Sequence, residues 1–324
     1  ALAVENALKT AFHWKTRKNW QKGSKTEGSM AIHFKQAFHG RSGYTLSLTN
    51  TSDPRKYQYF PLFDWPRIIN PKLHFPITEE NLQETIKNEQ LALVEIEQAI
   101  LMNPDKVSCI IIEVIQAEGG DNHFRDEFFV ELRKICDEND ILLIFDEVQT
   151  GIGITGKMWA FQNFSVVPDV ISFGKKTQVC GILASKEKLN EVENHVFAES
   201  SRINSTFGGN FIDMLRFQLV LEIIEKENLL ENVQKQGAFL LKGLQNLQEK
   251  YPQLISNARG KGLMCAFDLP TGEIRKDFQE KLYEENVIIL ICGDCSLRFR
   301  PHLNVSQEDL QFALDKIEKI VQKY

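Results

Sequence analysis

The sequence lacks a long uninterrupted run of apolar residues. No stretch of the chain approaches the roughly 18 apolar residues that a membrane-spanning helix requires, and no segment has the pattern of a secretory signal peptide. We therefore expect no membrane partner and a cytoplasmic location.

An excess of positive charge is also missing. The 324 residues carry 38 Lys and Arg against 44 Asp and Glu, which gives a formal net charge of −6. No basic stripe interleaved with aromatic residues stands out, which argues against nucleic acid as a partner. The composition therefore favours chemistry on small molecules.

Cysteine is sparse and scattered. Most of the six cysteines lie inside apolar runs, where reduced, buried thiols are common, so we expect a reducing compartment. The exception is the "CGDC" segment at 292–295, which could be a redox motif or half of a zinc site. Because no second such pair completes a metal site, we expect a loop with two thiols and no bound metal.

What the chain does contain is a series of short apolar runs separated by helical patterns. With 43% hydrophobic residues, it is large enough for a sizeable core and two domains. Segments 107–114, 141–145, 169–173 and 181–185 predict strands, and the amphipathic segment 124–140 predicts a helix. Strands that are apolar throughout and alternate with helices are typical of α/β proteins with a parallel sheet covered on both faces.

The two ends of the chain complete the predicted organisation. Apolar residues follow a helical spacing from the first residues onward, and no capping residue precedes them. We expect the chain to start inside a domain whose N-terminal part is absent from this sequence. We predict a large domain over 1–235, a helical stretch between Asn210 and Pro252, and a smaller α+β domain over 236–324.

Polar residues follow the predicted strands, at the edge where α/β sheets bind ligands. Asp146 ends a run of five apolar residues, and a buried carboxylate needs a cation or hydrogen-bond donors to stay ionised. It could equally cap a helix or pair with an arginine. Lys175 follows a strand and a glycine, where a partly desolvated amine can react with an aldehyde. Taken alone, it could also be an ordinary solvated charge.

Together, Asp146 and Lys175 suit pyridoxal phosphate. A lysine can hold the aldehyde of this cofactor while an aspartate keeps the pyridine nitrogen protonated, which makes the ring an electron sink. Neighbouring residues of an extended segment point to opposite sides, so only one of Lys175 and Lys176 can face the cofactor.

The segments "LLIFDEVQTGIG" and "PDVISFGKK" resemble the signature of the class III pyridoxal-phosphate aminotransferases. Further similar segments span the chain, including "FHGRSGYTLSLTN", "FDWPRI", "GKKTQVCG", "RGKGLMCAF" and "LRFRPHL". The resemblance implies a fold-type I transferase that is a homodimer with its site at the subunit interface. Within the family, these segments are most similar to the subgroup that transfers the ε-amino group of L-lysine to 2-oxoglutarate, giving 2-aminoadipate 6-semialdehyde and L-glutamate.

The resemblance also implies roles for residues at the cofactor. It makes Lys175 the lysine that holds the aldehyde, places Phe38 against the pyridine ring, and gives Gln149 a hydrogen bond to the phenolic oxygen. Thr206, with Asn204 nearby, would bind the phosphate across the subunit boundary. Without the resemblance, Phe38 is a core residue and Thr206 a helix cap.

For the substrates, the resemblance assigns the carboxylate remote from the reacting nitrogen to Arg41. It assigns the α-carboxylate of glutamate to Arg298, which Glu118 would mask while the ε-amine of lysine reacts. Gln149 would also contact the substrate. We expect Glu113 to orient the site, and we expect His39 to have a structural or supporting role.

Several features leave alternatives open. Val114, Ala117 and His302 differ from the usual family pattern, and alanine at 117 would be strained if its backbone required a positive φ. The chain could act on ornithine or 4-aminobutyrate instead of lysine. It could also be a non-catalytic remnant that serves as a binding or dimerisation module.

Overall fold

The computed structural model describes all 324 residues and contains two β-sheets. The strands of the first sheet are β1 (Met30–Phe34), β2 (Arg67–Ile68), β3 (Val107–Glu113), β4 (Leu142–Asp146), β5 (Val170–Phe173) and β6 (Gly181–Ala184). Their spatial order is β2-β1-β3-β4-β5-β6. All neighbours pair in parallel except β6, which is antiparallel to β5.

Helices cover both faces of this sheet. They are α1 (Leu2–Gln21), α2 (Gly43–Leu48), α3 (Glu79–Met102), α4 (Asp126–Glu138) and α5 (Lys186–Leu189). Consecutive residues of β3 point alternately into two hydrophobic clusters. Cys109 and Ile111 pack in the cluster that contains α1, whereas Ile110 and Ile112 pack with α3 and α4. Both faces are therefore buried, which explains why the strand is largely apolar.

A second, antiparallel sheet follows in the chain. Its strands are β7 (Ser256–Lys261), β8 (Met264–Asp268), β9 (Leu290–Cys292) and β10 (Ser296–Arg298), in the order β7-β8-β10-β9. The helices of this part are α6 (Phe211–Lys226), α7 (Leu229–Lys250), α8 (Gly272–Glu284) and α9 (Gln307–Val321). Buried leucines of α7, including Leu240 and Leu244, join Phe278 and Ile317 in the hydrophobic cluster under this sheet.

The α/β architecture with a mostly parallel sheet is confirmed. The four predicted strands of the first sheet and helix α4 lie within two residues of their expected bounds. The helical stretch expected between Asn210 and Pro252 consists of two helices, because Asn228 adopts a left-handed φ of 50° that separates α6 from α7. Strands β1, β2 and β7 and helix α3 had no sequence assignment. The domain boundary at 235 falls inside α7 and stays a prediction.

Two further expectations concern the whole chain. All six cysteines have free thiols, and Cys292 and Cys295 flank the turn that joins β9 to β10. No helix is both long enough and apolar enough to cross a membrane. The cytoplasmic location stays a prediction.

The loop that follows β3 is fixed to the second sheet. Arg259 is buried and donates to the backbone oxygens of Gly120 and Asp121, and it also pairs with Asp268 at 2.9 Å. The Arg300 Nη1 atom lies 2.8 Å from the carboxylate of Asp121. These contacts hold the end of the parallel sheet against the strand that carries Arg298.

Candidate active site

A small cavity of about 80 Å³ opens at the carboxyl ends of β3 and β4. The strand register places Glu113 directly beside Asp146. Six of the predicted site residues line this cavity: Phe38, Glu113, Glu118, Asp146, Gln149 and Lys175. The structure thus brings these six residues together at one edge of the sheet, as the strand pattern predicted for Glu113, Asp146 and Lys175; their roles stay predictions.

Asp146 is buried and held by three hydrogen bonds. Its Oδ2 atom lies 2.8 Å from Nδ1 of His39, and its Oδ1 atom accepts from Ser172 Oγ at 2.9 Å and from the Val148 backbone N–H at 3.1 Å. The group facing the carboxylate is thus a histidine rather than an arginine. Since the His39 side chain is also fully buried, both groups have one fixed position.

His39 is itself anchored through its backbone. Its N–H donates to Thr49 Oγ1 at 3.0 Å, and the N–H of Gly40 donates to the same oxygen at 3.2 Å. From the sequence we expected only a structural or supporting role for His39, and no contact with Asp146. The two residues are far apart in the chain, and nothing local in the sequence indicates their contact.

Lys175 lies at the start of a short 3₁₀ turn that runs from Lys175 to Thr177. Its φ of 54° is in the left-handed region, so the expectation of an extended segment is wrong. The side chains of Lys175 and Lys176 nevertheless lie in different places, and only Lys175 lines the cavity. Lys176 donates to the backbone oxygen of Gln149 at 2.5 Å and does not line the cavity.

The two amines differ from ordinary surface lysines. Partial desolvation lowers the pKa of Lys175, and Arg298 and Arg300 add to this effect against the opposing charges of Glu113 and Asp146. Burial lowers the pKa of Lys176 to about 7. A lowered pKa leaves more of the Lys175 amine unprotonated and nucleophilic at neutral pH.

Glu113 is a buried carboxylate that connects two segments of the site. Its Oε1 atom accepts the N–H of Phe38 at 2.8 Å, and its Oε2 atom accepts the N–H of Ala117 at 3.0 Å. Burial raises the pKa of Glu113 to about 7, and the nearby charge of Asp146 adds to this rise. We call Glu113, Asp146 and Lys175 the inner group.

Glu118 lies at the opening of the cavity and contacts a turn that the sequence did not connect with it. Its Oε1 atom accepts from Lys56 Nζ at 2.5 Å and from Thr51 Oγ1 at 2.8 Å. We call Thr51, Lys56 and Glu118 the rim group. Arg298, the partner expected for Glu118, instead has Nε and Nη1 atoms that are buried without a hydrogen-bond partner.

Four predicted residues do not line this cavity, and Arg298, described above, is one of them. Arg41, Asn204 and Thr206 are exposed and do not line it. The resemblance places the phosphate ligands Asn204 and Thr206 on a second subunit, and the roles of all four residues stay predictions.

The residues that depart from the family pattern fit their positions. Ala117 has no positive φ, so the expected strain is absent; Gly120 and Asp121 adopt the left-handed conformations of this loop instead. Val114 is fully buried. His302 is exposed, and its Nδ1 atom lies 2.8 Å from the side-chain oxygen of Asn304.

The cavity residues match the functional groups of pyridoxal phosphate. An amine with a lowered pKa suits the aldehyde, and a buried aspartate held by a histidine suits a protonated pyridine nitrogen. The half-buried Phe38 offers an aromatic face, and Gln149 offers an amide.

Comparison with known proteins identifies the family. Residues 1–321 match the family described as aminotransferase class III. The chain belongs to the class III aminotransferases. This class III chain is 48% identical to the L-lysine-epsilon aminotransferase of Mycobacterium tuberculosis over 315 residues, which are 97% of this chain and 69% of that protein. It is 36% identical to the mitochondrial 4-aminobutyrate aminotransferase of Homo sapiens over 319 residues, which cover 92% of this chain and 62% of that protein.

A solved structure supports the same assignment. The lysine aminotransferase from M. tuberculosis superposes with a TM-score of 0.95 at 46% sequence identity, covering 99% of this chain and 73% of that chain. The class III fold and family expected from the sequence are thereby confirmed.

Proposed function

We propose that this class III chain uses pyridoxal phosphate to transfer the ε-amino group of L-lysine to 2-oxoglutarate. The products are 2-aminoadipate 6-semialdehyde and L-glutamate. The observation that carries this proposal is the Lys175 amine, with its lowered pKa, in one cavity with an Asp146 carboxylate that His39 holds in place. The choice of lysine is supported by the greater identity to the lysine-specific relative than to the 4-aminobutyrate relative.

Pyridoxal phosphate, when bound, supplies an aldehyde that carries the amino group and a ring that accepts electrons. Lys175 would hold the aldehyde, Asp146 would face the pyridine nitrogen, Phe38 would lie against the ring, and Gln149 would reach the phenolic oxygen. Thr206 and Asn204 of a second subunit would bind the phosphate, so we propose a homodimer.

The inner group supplies the proton chemistry. The Lys175 amine, when it does not hold the aldehyde, would take a proton from the substrate carbon as a general base and would then donate that proton as a general acid. The His39 contact keeps Asp146 oriented, and the Asp146 carboxylate would stabilise positive charge on the pyridine nitrogen.

Two arginines would recognise the carboxylates of the substrates, because a guanidinium can bind a carboxylate through two parallel hydrogen bonds. Arg41 would take the carboxylate remote from the reacting nitrogen. Arg298, whose buried Nε and Nη1 atoms have no partner in the chain, would take the α-carboxylate of glutamate and 2-oxoglutarate. Glu118 would cover Arg298 when lysine reacts.

An absorbance experiment tests this function. The purified chain is mixed with pyridoxal phosphate, and the visible band of the bound cofactor is recorded before and after addition of L-lysine. We expect a band that L-lysine bleaches in the wild type and that does not form in Lys175→Ala. Ornithine and 4-aminobutyrate serve as comparison donors.

The outcomes separate the alternatives. Bleaching by ornithine or 4-aminobutyrate without bleaching by L-lysine would contradict the choice of substrate. The absence of a band in the wild type, and also in a longer chain that spans the full length of the relatives, would favour a non-catalytic role.

A further inference from the structure

The rim group has a feature that the proposed function does not explain. Glu118 is bound by a lysine, although the cation that it would have to cover is Arg298. The Glu118 Oε1 atom is 2.5 Å from Lys56 Nζ, and each side chain is about one quarter exposed. At this distance the pair is a charge-assisted hydrogen bond, which is stronger than a neutral one.

The turn that carries Lys56 is held by hydrogen bonds to its own backbone. Asp53 caps a short 3₁₀ helix, Pro54–Lys56, and accepts the N–H of Arg55. Thr51, just before this turn, donates to the same Glu118 oxygen at 2.8 Å and accepts the N–H of Asp53 at 3.3 Å. Glu118 therefore receives two donors from one short segment, residues 51–56.

Arg298 lies on the other part of the molecule, at the end of β10. A backbone bond from Gly293 N–H to the Glu118 carbonyl oxygen, 2.8 Å long, ties the turn before β10 to the Glu118 segment. The Glu118 side chain nevertheless makes no ion pair with Arg298. Arg298 is half-buried, and its Nε and Nη1 atoms are buried without a hydrogen-bond partner. Because such unpaired donors are costly, Arg298 has reason to bind either Glu118 or a substrate carboxylate.

We propose that Lys56 determines how readily Arg298 accepts a dicarboxylate substrate, by competing with Arg298 for Glu118. With Lys56 bound to Glu118, Arg298 is open to the α-carboxylate of glutamate or 2-oxoglutarate. When lysine reacts, Glu118 leaves Lys56 and covers Arg298. This inference rests on the proposed function, because it assigns Arg298 to that carboxylate.

Lys56 also lies over the ring of Phe38, with Nζ 5.6 Å from the ring centroid. A cation above an aromatic face is attracted to it, so Lys56 could act by supporting Phe38 under the cofactor. This second role makes a different prediction. It would change cofactor affinity, whereas competition for Glu118 changes the affinity for dicarboxylates.

The experiment uses the chain loaded with pyridoxal phosphate. Glutarate, a dicarboxylate without a reactive carbonyl, is titrated by calorimetry, and KM is measured separately for 2-oxoglutarate and L-lysine. We expect Lys56→Met to weaken glutarate binding and to raise KM for 2-oxoglutarate, each by roughly five- to tenfold, as the loss of part of one charged hydrogen bond would give. KM for L-lysine should not rise, because lysine reacts while Glu118 covers Arg298 and its own carboxylate would bind Arg41.

Three further variants serve as controls for the role of Lys56. Arg55→Met removes a cation of the same turn that does not contact Glu118 and is largely exposed, and it should leave all three values unchanged. Lys56→Arg keeps the charge and should resemble the wild type. Glu118→Gln combined with Lys56→Met should restore glutarate binding, because a neutral glutamine cannot neutralise Arg298.

Several results would overturn the inference. These are equal changes in KM for both substrates, the same effect from Arg55→Met, or a change in cofactor affinity with unchanged glutarate binding. If Lys56→Met does not fold, Lys56→Gln replaces it. Failure of the wild type to accept L-lysine would contradict the proposed function instead, and the glutarate titration, which needs no turnover, would still decide the role of Lys56.

Discussion

Asp146 and Glu118 line the same cavity but are held by different kinds of contact. Asp146 is buried and receives one imidazole, one hydroxyl and one backbone N–H. Glu118 is about one quarter exposed and receives a lysine and a threonine from one surface turn. A buried group with several hydrogen bonds has one stable arrangement. A partly exposed ion pair contributes little energy, so one partner can readily change to another. The inner group therefore suits chemistry, and the rim group suits a choice between substrates.

The largest effect should follow from removing the amine of the inner group. We expect Lys175→Ala to lower kcat by at least about a thousandfold, because it removes both the amine that holds the cofactor and the general base. Steady-state kinetics with L-lysine measures this loss. Lys176→Met is the matched control, since this neighbour does not line the cavity, and a loss as large as that of Lys175→Ala would contradict the assignment.

Asp146→Asn should give the next largest effect. The substitution keeps the size of the side chain but removes the negative charge facing the cofactor ring, and we expect a loss in kcat of roughly a hundredfold or more. Ser172→Ala removes only one of the three contacts to Asp146 and should cost less than about tenfold. Similar losses in the two variants would mean that the charge of Asp146 is not what matters.

Glu113 should make stability depend on pH. Burial raises its pKa from 4.5 to about 7 in the folded chain, so its contribution is most favourable below about pH 4.5 and is lost as pH rises through about 7. We expect Glu113→Gln to remove this dependence, an effect on the order of 3 kcal/mol between these limits. Denaturant unfolding of both proteins from pH 4.5 to 8 measures the difference.

The free energy of unfolding must be compared between the wild type and Glu113→Gln at each pH, because Glu147 has a similarly raised pKa of about 7. That residue is present in both proteins, so its contribution cancels. Parallel curves would show that Glu113 titrates as an ordinary surface carboxylate.

The smallest effect should come from the rim group. Thr51→Val removes one neutral donor to Glu118 and leaves Lys56 in place, so we expect KM for 2-oxoglutarate to rise by only about two- to threefold. A larger effect than that of Lys56→Met would show that the hydroxyl, not the charge, positions Glu118.

The sequence predicted the inner group better than the rim group. Asp146 and Lys175 each follow an apolar strand, and the ends of neighbouring parallel strands lie at the same edge of the sheet. The sequence pattern of the strands therefore also predicts that these two side chains lie close together. Contacts between distant loops leave no such pattern. For this reason neither the His39 contact to Asp146 nor the Lys56 contact to Glu118 was predicted.

Backbone details were equally hard to read from the chain. The left-handed conformation of Lys175 has no sequence signal, because the residues that usually indicate it are glycine and asparagine. Strand β2 has only two residues, which is too short for an alternating pattern. In contrast, helix α3 has a threonine cap at Thr78 and acidic residues in its first turn, and these signals could have located it.

The identity of the reacting lysine is the most direct test of the inner group. The chain is loaded with pyridoxal phosphate and treated with borohydride, which converts a lysine–pyridoxal linkage into a stable amine, and the peptides are mapped by mass spectrometry. We predict the added mass on Lys175 alone, and its disappearance when L-lysine is added before the reduction. Added mass on Lys176, or none on either residue, would contradict the account.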